Sequence, residues 1–190
     1  MHTHIDTYSS FTELAKHQRA GKDYDILVKD RRSPVTILAP HGGKIEKNTS
    51  RIARAIANGD FNFYSFEGRK KNCNFEILHI TSHLFDEPKC IGLLSRSNVV
   101  IAIHGRRGND NTIVIGGRNT ILKNILIHKL QNAHFKVVEG IGRLAAKDKN
   151  NICNRGETGK GVQLEFPKTL RSKFNVKNFA AIVRNAINSA

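Results

Sequence analysis

Four residues have types and settings suited to metal-assisted hydrolysis: His41, Glu46, His104 and Glu165. His41 stands in P-V-T-I-L-A-P-H-G-G-K-I-E-K-N, residues 34–48, where an apolar run ends at Pro40 and two glycines follow the histidine. His104 follows the apolar run V-V-I-A-I (99–103) and is itself followed by Gly105. Glu165 lies near the end of G-V-Q-L-E-F, residues 161–166. A catalytic zinc takes three protein ligands, usually His and carboxylate, and keeps one position open for water. The metal acidifies that water and polarises a carbonyl, and a further carboxylate serves as general base. His41, Glu46 and His104 offer the ligands and Glu165 the base. Each also has a plainer reading. A single His after a strand is commonly structural, and a carboxylate such as Glu46 suits the first turn of a helix through the helix dipole alone. Glu165 on an apolar strand is costly to bury unless it is paired or used. His79 and His83 fall near the same side, with His79 the better site candidate, whereas His2, His4, His17, His128 and His134 read as surface residues.

Such residues need rigid elements to bring them together. Apolar or alternating runs predict strands at 24–28, 35–39, 61–66, 75–80, 99–103, 113–115, 135–138 and 161–166. Helical spacing predicts helices at 10–19, 45–57, from Pro88 to about Ser95, at 119–132 and at 176–187; Asn58-Gly59 closes the second and Pro88 opens the third. In the helix at 119–132, Ile121, Leu122, Ile125, Leu126 and Leu130 form a wide apolar stripe. Apolar strands alternating with helices predict an α/β fold, an open, mixed and largely parallel sheet sandwiched by helices. In such sheets ligands bind beyond the carboxyl ends of strands, where His41, His104 and Glu165 are expected. A chain of 190 residues without repeats reads as a single domain, 1–190.

Composition narrows the classes. Apolar (39%) and charged (25%) fractions are those of an ordinary globular chain, and no run approaches the 18 or so apolar residues of a membrane span. Three distant cysteines, Cys73, Cys90 and Cys153, suit neither a disulfide framework nor a thiolate zinc site. The net charge of +15 implies solubility alone or a polyanionic partner.

Seven segments, taken together, carry a resemblance: P-H-G-G-K-I-E (40–46), L-H-I-T-S (78–82), F-D-E-P (85–88), H-G (104–105), G-G-R-N-T (116–120), N-I-C-N-R-G (151–156) and G-K-G-V-Q-L-E (159–165). In this order and spread, they make the chain similar to the phage and Bacillus poly-γ-glutamate hydrolases, small zinc peptidases related in fold to carboxypeptidase A. The resemblance implies a zinc carboxypeptidase-like fold, one zinc ion, and hydrolysis of γ-glutamyl amide bonds. It assigns His41, Glu46 and His104 to the metal and Glu165 to the general base. Arg155, inside a matching segment, is the preferred binder of substrate carboxylate, with Arg118, Asn119, His79 and Lys160 as further substrate-side candidates. The charge then acquires a meaning: Arg69, Lys70, Lys71, Arg106, Arg107, Arg118, Arg155 and Lys160 are expected around a cleft that attracts the anionic polymer. A monomer is expected, with no membrane partner. Without an apolar leader in Met1–Ser10, the expected location is cytoplasmic, or release by lysis for a phage-encoded chain.

Two rival classes share some of these features. The P-H-G-G turn is also similar to those of N-acetylmuramoyl-alanine amidases of the cell wall and of N-formylglutamate amidohydrolases, which would use the same chemistry on another amide. A basic nucleic-acid-binding module would explain the charge, but the chain has no zinc-finger spacing and no P-loop, and its aromatic cluster at Phe61, Phe63, Tyr64 and Phe66 suits a sheet core equally well.

Overall fold

The computed structural model describes residues 5–190; the expected surface positions of His2 and His4 lie outside them. Seven strands form one sheet: β1 (Tyr24–Lys29), β2 (Val35–Gly43), β3 (Asn62–Gly68), β4 (Val99–Arg106), β5 (Thr112–Gly116), β6 (Lys136–Glu139) and β7 (Val162–Pro167). Their spatial order is β1-β3-β2-β4-β7-β5-β6. The joins β3/β2, β2/β4, β4/β7 and β5/β6 are parallel, and only β1/β3 and β5/β7 are antiparallel. The mixed, largely parallel sheet covered on both faces is therefore as expected.

Seven helices flank it: α1 (Phe11–His17), α2 (Thr49–Ala57), α3 (Asn74–Leu78), α4 (Pro88–Leu94), α5 (Thr120–Asn132), α6 (Lys168–Lys173) and α7 (Val176–Asn188). The side-chain period of two divides each central strand between two cores. Ile37, Ile101, Ile103, Leu164 and Phe166 face one way and pack under α2, α5 and α7, against Ile52, Leu126 and Val183. Leu38, Tyr64, Phe66, Val100 and Ala102 face the other way, toward Leu14, Leu78, Phe85 and Leu93. The aromatic cluster at 61–66 is buried and unavailable for stacking on bases.

Four local expectations are corrected. Residues 75–80 form no strand: 74–78 is a single helical turn, whose backbone bonds close internally from Ile77 N to Cys73 O and from His79 N to Phe75 O. The sheet edge there is already taken by β1, antiparallel to β3. Pro40 does not end its strand; the register with β3 shifts between Ala39 and Gly42, and β2 runs on through His41 to Gly43. Such an irregularity re-aims side chains. Helix α2 begins at Thr49 rather than Ile45, because Asn48 takes a left-handed conformation (φ 74°), so Glu46 sits in a turn. The stripe of α5 is narrower than expected: Leu122, Leu126 and Leu130 are buried, but Ile121 is 69% exposed. Helix α6, directly after β7, has no counterpart in the sequence reading; its run K-T-L-R-S-K shows no apolar period.

Candidate metal centre

His41 and His104 come from neighbouring parallel strands, and the turn after β2 folds Glu46 back between them. Glu46 N donates to the His41 carbonyl at 2.9 Å, and the buried Thr49 hydroxyl donates to the Glu46 carbonyl at 2.8 Å. The turn is tight: Gly43 (φ 60°) lies so close to Gly68 that a Cβ would meet its carbonyl at 2.6 Å, so only glycine fits.

The three side chains converge on one point. His41 Nδ1 is 3.2 Å from His104 Nδ1 and 3.3 Å from Glu46 Oε1, and Glu46 Oε2 is 3.8 Å from His104 Nδ1. All three residues are buried, and their ligand atoms lie within 4.8 Å of one another. On its far side His41 Nε2 donates to the Ile80 carbonyl at 2.8 Å, which leaves the Nδ1 lone pair facing the cluster. Glu46 Oε2 also accepts the Gly105 N–H at 2.7 Å. Possible ligand atoms of two imidazoles and a carboxylate thus face one another, an arrangement that calls for a proton or a cation. Two nitrogens bound tetrahedrally to zinc at about 2.0–2.1 Å would stand roughly 3.3 Å apart, close to the separation found. The donor set fits one zinc ion.

The electrostatics agree. Burial alone would pull His41 down, yet the Glu46 carboxylate overrides it and holds the imidazole above its ordinary value. Burial would raise Glu46, but His41 and His104 hold it at about 2. His104, buried and beside His41, falls to about 3 and is neutral.

Glu165 is the register partner of His104 across the β4/β7 join, so the two side chains emerge on the same face. Burial, and then the nearby Glu46 carboxylate, push Glu165 up to about 8. Its Oε1 accepts from Gln163 Nε2 at 2.9 Å. Gln163 in turn accepts from Asn151 Nδ2 at 3.1 Å, and Asn151 accepts the Cys153 N–H at 3.1 Å. This chain orients the Gln163 amide, so one carboxylate oxygen of Glu165 is held by a donor.

A family profile described as poly-gamma-glutamate hydrolase matches residues 8–188. The chain belongs to this family. Two Bacillus subtilis (strain 168) relatives are the UPF0714 proteins YndL and YmaC. YndL is 38% identical over 181 residues, covering 92% of this chain and 71% of the relative; YmaC is 36% identical over 172 residues, covering 89% and 72%. Among solved structures, a bacteriophage poly-gamma-glutamate hydrolase superposes with a TM-score of 0.91 at 28% identity, over 97% of this chain and 98% of that one. The zinc-free apo form of YndL superposes with a TM-score of 0.88 at 32% identity, again over 97% and 98%. The family makes the chain a hydrolase.

Within this family fold the other residues singled out from the sequence are placed unevenly. His79 joins the centre: its ring lies over that of His41, centroids 4.1 Å apart, and its Nδ1 is 2.7 Å from Asp6 Oδ1. Asp6 also accepts the Thr81 N–H; against its burial, these bonds hold it at about 2. Arg155 is half-buried and donates to the Phe85 carbonyl at 3.2 Å, behind the ring that packs against His41. Arg118, Asn119 and Lys160 lie at the amino end of β7, not at the end carrying His104 and Glu165: Asn119 N donates to Gly161 O, and the Asn119 side chain caps α5 through Leu122 N. Lys160 is exposed in the loop that Thr158 ties to Asn98, the residue before β4. The antiparallel direction of β5 reverses which end its following loop reaches, and the sequence does not show that direction. Of the basic loop at 69–71, Arg69 pairs with Asp25 and Lys70 with Asp23.

The sequence reading missed Arg171, Gly105 as a donor to Glu46, and the Gln163–Asn151 support of Glu165. Gln163 alone left a signal, two residues before Glu165 and therefore on the same face of the strand.

Proposed function

We propose that this chain is a zinc-dependent hydrolase that cuts the γ-glutamyl amide bonds of poly-γ-glutamate, with His41, Glu46 and His104 holding one zinc ion and Glu165 acting as general base. The observation that carries this reading is the meeting of His41 Nδ1, His104 Nδ1 and the Glu46 carboxylate beside Glu165. The family and its phage member supply the bond type. When bound, zinc acts as a Lewis acid that acidifies water and polarises an amide carbonyl. Glu165 takes the proton of the attacking water and passes it to the leaving nitrogen. Gln163 holds one carboxylate oxygen, so the other is presented to water. Burial and the Glu46 carboxylate raise Glu165 to about 8 against the opposing pull of His41, Arg106 and Arg171, which suits a group that takes up a proton and passes it on. Ile80 and Thr49 fix the ligand set so that little reorganisation is needed on metal loading.

The same reading takes the chain as a monomer acting on an anionic polymer, in a cytoplasm or after lysis. Among the described residues no helix is long and apolar enough to cross a membrane. Arg155 and His79 remain its candidates for holding the substrate from the sheet face. The test is amine release by the zinc-loaded protein from purified poly-γ-glutamate and, separately, from peptidoglycan, each with and without chelator. Chelator-sensitive release from the polymer alone is expected. Release from peptidoglycan alone would transfer the chemistry to a cell-wall amidase.

A further inference from the structure

We propose that Arg171 is the specificity-determining residue of this site, binding the free α-carboxylate on the carbon next to the scissile nitrogen. This rests on the reading of a γ-linked glutamate substrate. In a γ-linked chain that carbon bears a free carboxylate; in an ordinary peptide the same carboxyl is consumed in the next amide bond. A cation fixed at this distance from the cleaved bond therefore separates the two linkages.

Arg171, on α6, is 8% exposed. Its Nη1 donates to the Lys47 carbonyl at 3.1 Å, one residue from Glu46. Its Nε is buried without any hydrogen-bond partner. Among the described residues it forms no ion pair, whereas Arg106 beside it is held by Asp110. A buried guanidinium with a spare donor is costly unless an acceptor arrives from outside. The seat is built for it: a Cβ on Gly105 would fall 1.9 Å from Arg171 Nη1, so glycine there admits the guanidinium against the strand that carries His104.

Arg171 opens into a cleft of about 330 Å³, lined also by Glu46, Gly105, Arg106, Arg107 and Lys168. The cleft runs past Lys44, Lys47, Phe75 and the carboxylate of Glu76 into a second recess bordered by Lys71. The metal ligand Glu46 thus forms part of the wall of a cationic trough, and Arg171 is its deepest cation. The planar guanidinium fork matches a carboxylate in a way an ammonium does not.

The experiment is titration calorimetry on zinc-loaded protein carrying Glu165→Gln, using γ-linked triglutamate and the same trimer with its α-carboxylates converted to carboxamides. The acid form is expected to bind on the order of 100-fold more tightly than the amide. Adding Arg171→Gln should erase that preference while zinc content stays at one ion, and Arg171→Lys should restore only part of it. Equal binding of acid and amide by the Glu165→Gln protein, a measurement that needs no change at Arg171, would overturn the assignment. So would a preference that survives Arg171→Gln. Failure of the hydrolase reading looks different: the acid trimer would bind with the expected preference, yet protein with Glu165 intact would never cleave it.

Discussion

The Nδ1 atoms of His41 and His104 face each other at 3.2 Å, each on its own parallel strand. With Nε2 donating to Ile80, neutral His41 carries a lone pair on Nδ1, so a proton or a cation must lie between it and His104 Nδ1. His41→Ala and His104→Ala are each expected to lose zinc, by more than the roughly 10–100-fold that removing a supporting partner costs. Metal analysis after dialysis against a zinc buffer checks this; stoichiometric zinc in either variant would contradict the ligand assignment.

Gly105 bears on the centre twice, through its N–H to Glu46 and through the space it leaves for Arg171. Gly105→Ala keeps the N–H and fills the space. Overpacking of this kind typically costs about 1–3 kcal/mol. The variant is expected to unfold at lower temperature, to retain zinc, and to show a raised KM for the polymer with a smaller change in kcat. Unchanged KM would mean that the guanidinium is not seated as described.

Protons report on the metal-free centre. In the folded chain Glu165 titrates at about 8, against an ordinary carboxylate value of 4.5, and His41 titrates above 6.5. From pH 6.5 to 8 the folded state therefore holds more protons than the unfolded state, and stability falls as pH rises. Glu46 at about 2 and His104 at about 3 act oppositely; the His104 contribution is lost as pH drops from 6.5 toward 3, and that of Glu46 only as pH drops below 4.5. The melting temperature of chelator-treated protein is expected to decline between pH 6.5 and 8, less steeply in Glu165→Gln. A melting temperature that rises across that interval would contradict the assigned shifts.

Much of the centre was legible because apolar runs mark strands and the carboxyl ends of parallel strands gather ligands. Val35–Ala39, Val99–Ile103 and Gly161–Phe166 were readable as strands, and with them the positions of His41, His104 and Glu165. What escaped depended on direction and on backbone. The reversal of β5 carries Arg118 and Asn119 to the far end of β7, and a reversal leaves no mark in the composition of a short strand. The helical turn at 74–78 has the apolar content of a strand, and only the occupied sheet edge decides between them. Arg171 was hidden because α6 has no apolar period, and because its role arises from one missing Cβ on another strand. The high net charge was informative about the partner but poor at naming residues, since Arg69, Lys70 and Arg106 are answered by local carboxylates.

The central claim is that zinc held by His41, Glu46 and His104 works with Glu165 as the base, and the most direct measurement is turnover of poly-γ-glutamate by Glu165→Gln at known zinc content. One zinc per chain is expected, with the rate lower by about 10²–10⁴-fold. Near wild-type turnover at full zinc occupancy would contradict the account.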